Sequence, residues 1–481
     1  MFIKIDHIIT INKYLNKIYD YLNLTAIVFL SYGFFSNSNF LNVITALLLL
    51  LIIFIFSKKI AFKKSPFSIA FSFFTLFFIS IPVVFQVLMG DSYLIGGSVG
   101  ELIYENSIYY NSRWLSYLFL ILCWVSIWLG LQSTISIKAV KYNFINVSNL
   151  EIKVLLLSLL VMICSYLNNL DTNMVRIGEK EFQTFSMLSF LFNDTAFLLM
   201  SSIAIFEKIS STNIKNILSK NIYILIFVFF ILVQITATSA GAIFSVLTFF
   251  YIIPLCVLQT KSNSKAINFQ LSSFIVILII SPIIYFISVN SRLAFHQNHN
   301  VDFFAFDLFN LLIRICYRFS WGGMDQFLLI FYNEIDKPHN FQISYELLIY
   351  VIKNFINLLL PGTYFTEAYY PSSQMFPNVI NNIPLISEYN RTGIVLSSNT
   401  QPFTIFGFFI IFFGLLSPFF LYLFTVTIKF VYSFFDNSLI RVCIIYFFYS
   451  FLGCFGAEVV IVNTVHVYFS CLIMFLLIRK L

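Results

Sequence analysis

Charge is what this sequence has least of. Only 10% of its 481 residues are Asp, Glu, Lys or Arg, where a soluble protein of that size carries about 25%. A solvated surface around a large core cannot be made from so few charges, which excludes a soluble globular protein. Other signatures are missing too. The seven cysteines show no CxxC and no Cys/His ligand spacing, which excludes a zinc site or a disulfide framework. Cys123, Cys164, Cys256, Cys443, Cys454 and Cys471 lie in apolar runs and read as small buried hydrophobes, and only Cys316 lies outside one. No GxxxxGK[ST] loop is present, which excludes ATP-driven work of the common kind. The opening stretch MFIKIDHIITINKYLNKIYD has no small-residue cleavage site and reads as a cytoplasmic or interfacial lead-in.

What fills the chain is apolar: 59% hydrophobic residues, 62 of them phenylalanine. Runs of roughly 18 or more apolar residues recur, the length that crosses a bilayer as a helix. The reading is an all-α polytopic membrane protein. About twelve spans are expected, near 22–36, 40–57, 66–90, 114–135, 152–170, 187–206, 222–239, 241–259, 271–289, 402–428, 440–457 and 459–478. Lysine and arginine orient them. With a cytoplasmic N-terminus, 19 basic residues fall in inner segments, and only Arg113, Arg176 and Lys180 fall in short outer loops. Both termini are then cytoplasmic.

The remaining six basic residues, Arg292, Arg314, Arg318, Lys337, Lys353 and Arg391, all fall between spans nine and ten. The chain thus divides into residues 1–289 (spans one to nine), an outer loop at 290–401, and 402–481 (spans ten to twelve). So long a loop in a bundle of short turns carries function more often than not. From Asp302 to Phe319 the polar residues Asp307, Asn310, Arg314 and Arg318 recur at helical spacing, and Gly322-Gly323 stops the pattern. A second amphipathic helix is expected from Gln342 to Leu360, with Tyr345, Leu348, Ile349, Ile352, Ile356 and Leu359 as its stripe and Pro361-Gly362 as its end. Both fit helices that lie on the membrane surface or cap the bundle, and do not cross it.

Arg314 and Arg318, in RICYRFSWGG, stand one helical turn apart with no acid between them. Like charges at that spacing cost about 0.2–0.5 kcal/mol. Pairing with Asp307 or Asp325, or contact with lipid headgroups, would offset it. As an anion site, two guanidinium forks about 6 Å apart match the two phosphorus centres of a diphosphate. Arg292 and Arg391 can join them if the loop folds back. His296 and His299 (HQNH) lack a third metal ligand, so they are solvated loop residues, or one acts as a general base. Asp194, two turns into span six, is costly there unless it faces a cavity or a partner. Candidate catalytic groups are therefore Asp194, His296 and Asp325. The candidate diphosphate ligands are Arg292, Arg314, Arg318 and Arg391. His466 reads as a hydrogen-bonded interior histidine. No nucleic acid is expected as a partner.

The topology, Arg292 after span nine, RICYRFSWGG, and NTQPFTIFGFFIIFFG (Asn399 to Gly414) together resemble the Wzy-type polymerases of O-antigen and other surface polysaccharides. The resemblance implies a GT-C-like glycosyltransferase of the bacterial inner membrane, working without metal or cofactor. No DxD pattern is present, which agrees. Its substrates would be undecaprenyl-diphosphate-linked oligosaccharides, with loop arginines on the diphosphate and a chain-length regulator protein as partner. Two departures stand out. TATSAGA has Ala240 where that family often has an arginine, and no histidine precedes Gly407 and Gly414, which favours polymerase over O-antigen ligase. The rival readings are a flippase for the same lipid-linked units, the ligase, and a membrane acyltransferase. A flippase commonly shows two related halves, and no internal repeat is visible here.

Overall fold

The computed structural model describes residues 40–60, 66–84, 113–133, 151–171, 194–211, 217–236, 245–246, 248–259, 404–435, 437–452 and 457–480, with single positions between 283 and 356. These residues are almost entirely helical. In chain order the helices are α1 (Phe40–Ile60), α2 (Pro66–Val84), α3 (Arg113–Gln132), α4 (Glu151–Asp171), α5 (Asp194–Ser211), α6 (Ile217–Thr236), α7 (Ile253–Gln259), α8 (Ile405–Phe413), α9 (Ser417–Phe434), α10 (Ser438–Leu452) and α11 (Ala457–Lys480). They fall over every expected span from the second to the eighth and from the tenth to the twelfth. The first expected span lies outside the described residues, as does most of the ninth. Among the described residues, four stretches are long and apolar enough to cross a membrane: Pro66–Val84, Arg113–Gln132, Leu218–Ile235 and Ile405–Phe434. Leu122, Leu156, Leu160, Ile224 and Phe419 stand exposed on outward faces. With water outside they would be a liability, whereas hydrocarbon makes them a lipid-facing surface. The protein is a membrane-embedded helical bundle.

Two prolines shape the helices locally. The π-helical turn Leu76–Ser80 ends just before Pro82, and the π turn Thr248–Ile252 ends just before Pro254. A proline ring clashes with the carbonyl four residues back, and a widened turn makes room for it without ending the helix.

Packing divides the bundle. α3 lies against α1 and α9, and α4 lies between α5 and α6. α10 joins the two groups through α2, α7 and α11. Aromatic rings fill the first group, with Phe56 at 4.6 Å from Trp128 and Phe67 at 5.2 Å from Phe448. Between α4 and α5 small polar residues do the same work. The Ser201 hydroxyl meets that of Ser158 at 2.7 Å, and both bond backbone carbonyls. Without a hydrophobic driving force between helices in lipid, close approach and buried hydroxyl bonds hold them together.

Basic residues finish the helix ends at the face that the charge distribution assigns to the cytoplasm. Lys429 Nζ donates to the carbonyls of Leu131 and Ser133 at the end of α3, where a cation meets the negative pole of the helix. Asn437 Oδ1 accepts from the amides of Leu439 (3.0 Å) and Ile440 (3.2 Å) and so caps α10. Arg441 Nε donates to Phe435 O at 2.7 Å, with its guanidinium 5.2 Å from the Tyr432 ring centre. Arg113, expected in a short outer loop, is instead the first residue of α3 and buried, with 4% of its surface exposed.

The tenth expected span departs from a straight crossing. In a continuous helix Phe409 and Phe424 would lie about 22 Å apart along the axis. Their ring centres are 5.5 Å apart, and Phe413 stacks on Phe420 at 3.9 Å. Residues 413 and 409 therefore pair with 420 and 424, and α8 runs back along α9 as a helical hairpin. Its turn is Gly414–Leu416. Gly414 takes φ 54° and ψ −137°, a conformation from which a Cβ is excluded. Ser417 Oγ donates to Gly414 O, and Pro418 sits in the first turn of α9, where its missing amide costs nothing. α10 covers the hairpin, with Phe451 touching both Phe409 and Phe424.

Candidate functional site

Asp194 opens α5, so its carboxylate stands at the positive end of that helix. It is half-buried, and Ser165 Oγ of α4 donates to its Oδ1 at 2.7 Å. The next residue, Thr195, shares a hydrogen bond with the Tyr446 hydroxyl of α10, which Ser450 also meets. One residue further, Ala196 O accepts from Cys471 Sγ of α11 at 3.7 Å. Three helices, α4, α10 and α11, thus converge on three consecutive residues of α5. The buried face of α11 also carries His466 and Ser470, and the Ser470 hydroxyl has no hydrogen-bond partner among the described residues.

This cluster has the chemistry of a proton acceptor held inside an apolar bundle. A carboxylate in such surroundings is retained only where partners or function compensate its desolvation. Sequence alone pointed to Asp194. Ser165, Thr195 and Tyr446 carry no such signal, because a hydroxyl in an apolar run reads first as helix glue. Replacing Ser165 with alanine leaves the carboxylate short of a donor, and should destabilise the protein by about 1–3 kcal/mol in a thermal or denaturant series. Asp194→Asn keeps an oxygen acceptor for Ser165 and should fold near normally. Function in that variant then reports on the charge alone, and unchanged function assigns the cluster to helix packing.

The other expected site residues, Arg292, His296, His299, Arg314, Arg318, Asp325 and Arg391, lie outside the described residues, as does Ala240. Their neighbours are informative. Cys316, midway between Arg314 and Arg318, is helical, as the spacing of the two arginines requires. It is half-buried, and that burial pushes its thiol pKa up. Phe327, Ile330 and Phe331 are helical and buried, in a stretch where no helix was expected. Phe331 stacks on Phe119 of α3 at 5.0 Å, and Phe327 meets Phe406 of α8 at 6.2 Å. The stretch after the arginines is therefore anchored in the bundle. Tyr345, Leu348 and Ile352 are helical and exposed, an apolar stripe at the register expected of a surface-lying helix.

Comparison with known family models, characterised proteins and solved structures finds no match. The reading of function rests on the residues themselves.

Proposed function

We propose that this chain is a glycosyltransferase of the bacterial inner membrane, a polymerase that joins undecaprenyl-diphosphate-linked oligosaccharide repeat units at the outer face. The observation that carries the reading is the anchoring of the stretch just after Arg314 and Arg318, through Phe327 and Phe331, on the membrane-embedded helices α8 and α3. A polar substrate on a long lipid tail needs such a junction, with cations beside its headgroup and an apolar bundle beside its chain. The large stretch between spans nine and ten, which carries these arginines, faces outward under the charge rule, with both termini on the cytoplasmic side.

In the reaction, a hydroxyl of the acceptor unit attacks the anomeric carbon of the growing glycan. The bond from that carbon to the phosphate oxygen breaks, and its electron pair leaves with undecaprenyl diphosphate. Arg314 and Arg318, with Arg292 and Arg391, hold the charge that develops on the leaving group. The hydroxyl proton passes to a carboxylate or imidazole, for which Asp194, His296 and Asp325 are the candidates. A chain-length regulator is the expected protein partner.

Deleting the gene in its own host and sizing the surface polysaccharide tests this. The expected phenotype is a single repeat unit on the surface in place of a ladder, with the ladder restored by the wild-type chain. A surface with no repeat unit at all points instead to a flippase or a ligase.

A further inference from the structure

The N-terminus of α8 is buried, and among the described residues no side chain caps it. Phe408 N is the first amide of the helix to find an intrahelical acceptor, Thr404 O at 3.0 Å. The amides of Ile405, Phe406 and Gly407 precede it, and no side chain caps them. All three residues are buried. An exposed helix end has water for these groups, but a buried one has none. Thr404 occupies the N-cap, so its hydroxyl stands at the mouth of the helix. It is 3% exposed, and its Oγ1 has no hydrogen-bond partner among the described residues. N-cap threonines ordinarily fold back onto the second or third amide. This one does not.

We propose that the mouth of α8 is an anion site, where the amides of Ile405, Phe406 and Gly407 and the hydroxyl of Thr404 grip a phosphate group of the lipid-linked substrate. The inference rests on the polymerase reading for the identity of that phosphate, though not for the site itself. Unsatisfied N–H donors and the positive pole of a helix select an anion and reject a cation. Gly407 brings no side chain, so an oxygen can approach its amide closely. Phe406, in the first turn, packs on Phe327, which ties this helix mouth to the stretch that follows Arg314 and Arg318. A diphosphate has enough oxygens to be shared between guanidinium forks and a helix mouth.

Burying a hydroxyl without a partner destabilises a protein, and replacing it by an apolar group of the same shape relieves that cost. Thr404→Val therefore separates a ligand role from a structural one. The purified full-length chain in detergent is titrated with undecaprenyl diphosphate and, separately, with inorganic pyrophosphate, following thermal stability and affinity. Expected is a Thr404→Val protein whose unliganded melting temperature equals or exceeds wild type, while its affinity for undecaprenyl diphosphate falls at least tenfold. Thr404→Ser, which keeps the hydroxyl, should bind within threefold of wild type. Thr404→Ala serves in place of valine if the latter does not accumulate.

Wild-type affinity in the valine or alanine variant overturns the proposal, as does a wild-type chain that binds neither probe. Failure of both variants to fold makes the hydroxyl structural and also overturns it. Thr404-dependent binding of pyrophosphate alone shows that the site takes a free phosphate group and not the lipid, which overturns the substrate assignment. Thr404-dependent binding by a chain that restores no ladder in the deletion strain leaves the anion site standing and removes the polymerase reading. A restored ladder with Thr404-independent binding does the reverse.

Discussion

Gly130→Leu should leave little folded protein in the membrane. Gly130 lies in close contact with α9, in the most extensive packing of the first helix group. A Cβ built there would lie 2.7 Å from Thr425 Cβ, 3.0 Å from its Cγ2 and 3.2 Å from Tyr422 O. Two of those atoms cannot rotate away: Cβ is fixed to the backbone, and the carbonyl is part of it. Thr425 is further held by its hydroxyl, which donates to Leu421 O at 2.8 Å. Overpacking a well-filled interior costs about 1–3 kcal/mol for a methylene or two, and leucine adds more than that. Set against a total stability of about 5–15 kcal/mol, a loss of that size empties the folded population when it disturbs a helix contact this long.

Fluorescence-detected size exclusion of the tagged chain gives the readout, with Gly130→Ala as the milder case. Opening the other side should help: Gly130→Ala combined with Thr425→Gly should recover more protein than Gly130→Ala alone. Equal yields for wild type and Gly130→Leu would mean that α3 and α9 do not meet here.

On the proposed polymerase function, Arg314→Gln and Arg318→Gln should each reduce polymer length sharply while protein level stays near wild type. Glutamine keeps the polarity and helix compatibility of the position and removes the charged fork, with some of the side chain's reach. Charge-assisted hydrogen bonds contribute about 1.5–3 kcal/mol each, and 1.4 kcal/mol is a factor of ten in rate or affinity. Each single change should therefore slow chain growth by about tenfold to a hundredfold. The double change should leave single repeat units. Arg314→Lys should be intermediate, since it keeps a charge and loses the bidentate geometry. The comparison is made in the deletion strain by polysaccharide sizing, with membrane protein quantified in parallel. Loss of ladder and of protein in equal measure would assign these arginines to folding.

Much of this was legible in the order of residues. Apolar runs of bilayer length located the helices, because backbone groups in hydrocarbon leave the chain little choice but to bond to itself. The spacing of Arg314 and Arg318 called for helix, and Cys316 between them is helical. Asp194 was visible as a carboxylate in an apolar run. Its companions were not. Ser165, Tyr446 and Cys471 come from three other helices, and no pattern within one helix states which neighbour it will face.

The stretch from Ile405 to Phe434 marks the division most clearly. Its hydropathy reads as one long span, and the signs of a break, Gly414 and Pro418, are ones that membrane helices often tolerate. Whether such a stretch kinks or folds back depends on what waits on either side. Here Phe420 and Phe424 of the same chain, and Phe451 of α10, provide ring surfaces for Phe413 and Phe409. The hairpin in turn places the mouth of α8 in the interior, with the Thr404 hydroxyl unbonded among the described residues. The sequence by itself determined that this chain lives in a membrane as helices and where its charge is concentrated, since those follow from the solvation of each segment. Only the tertiary structure decided that α8 folds onto α9 and that four helices meet at Asp194, because those depend on which surfaces find one another.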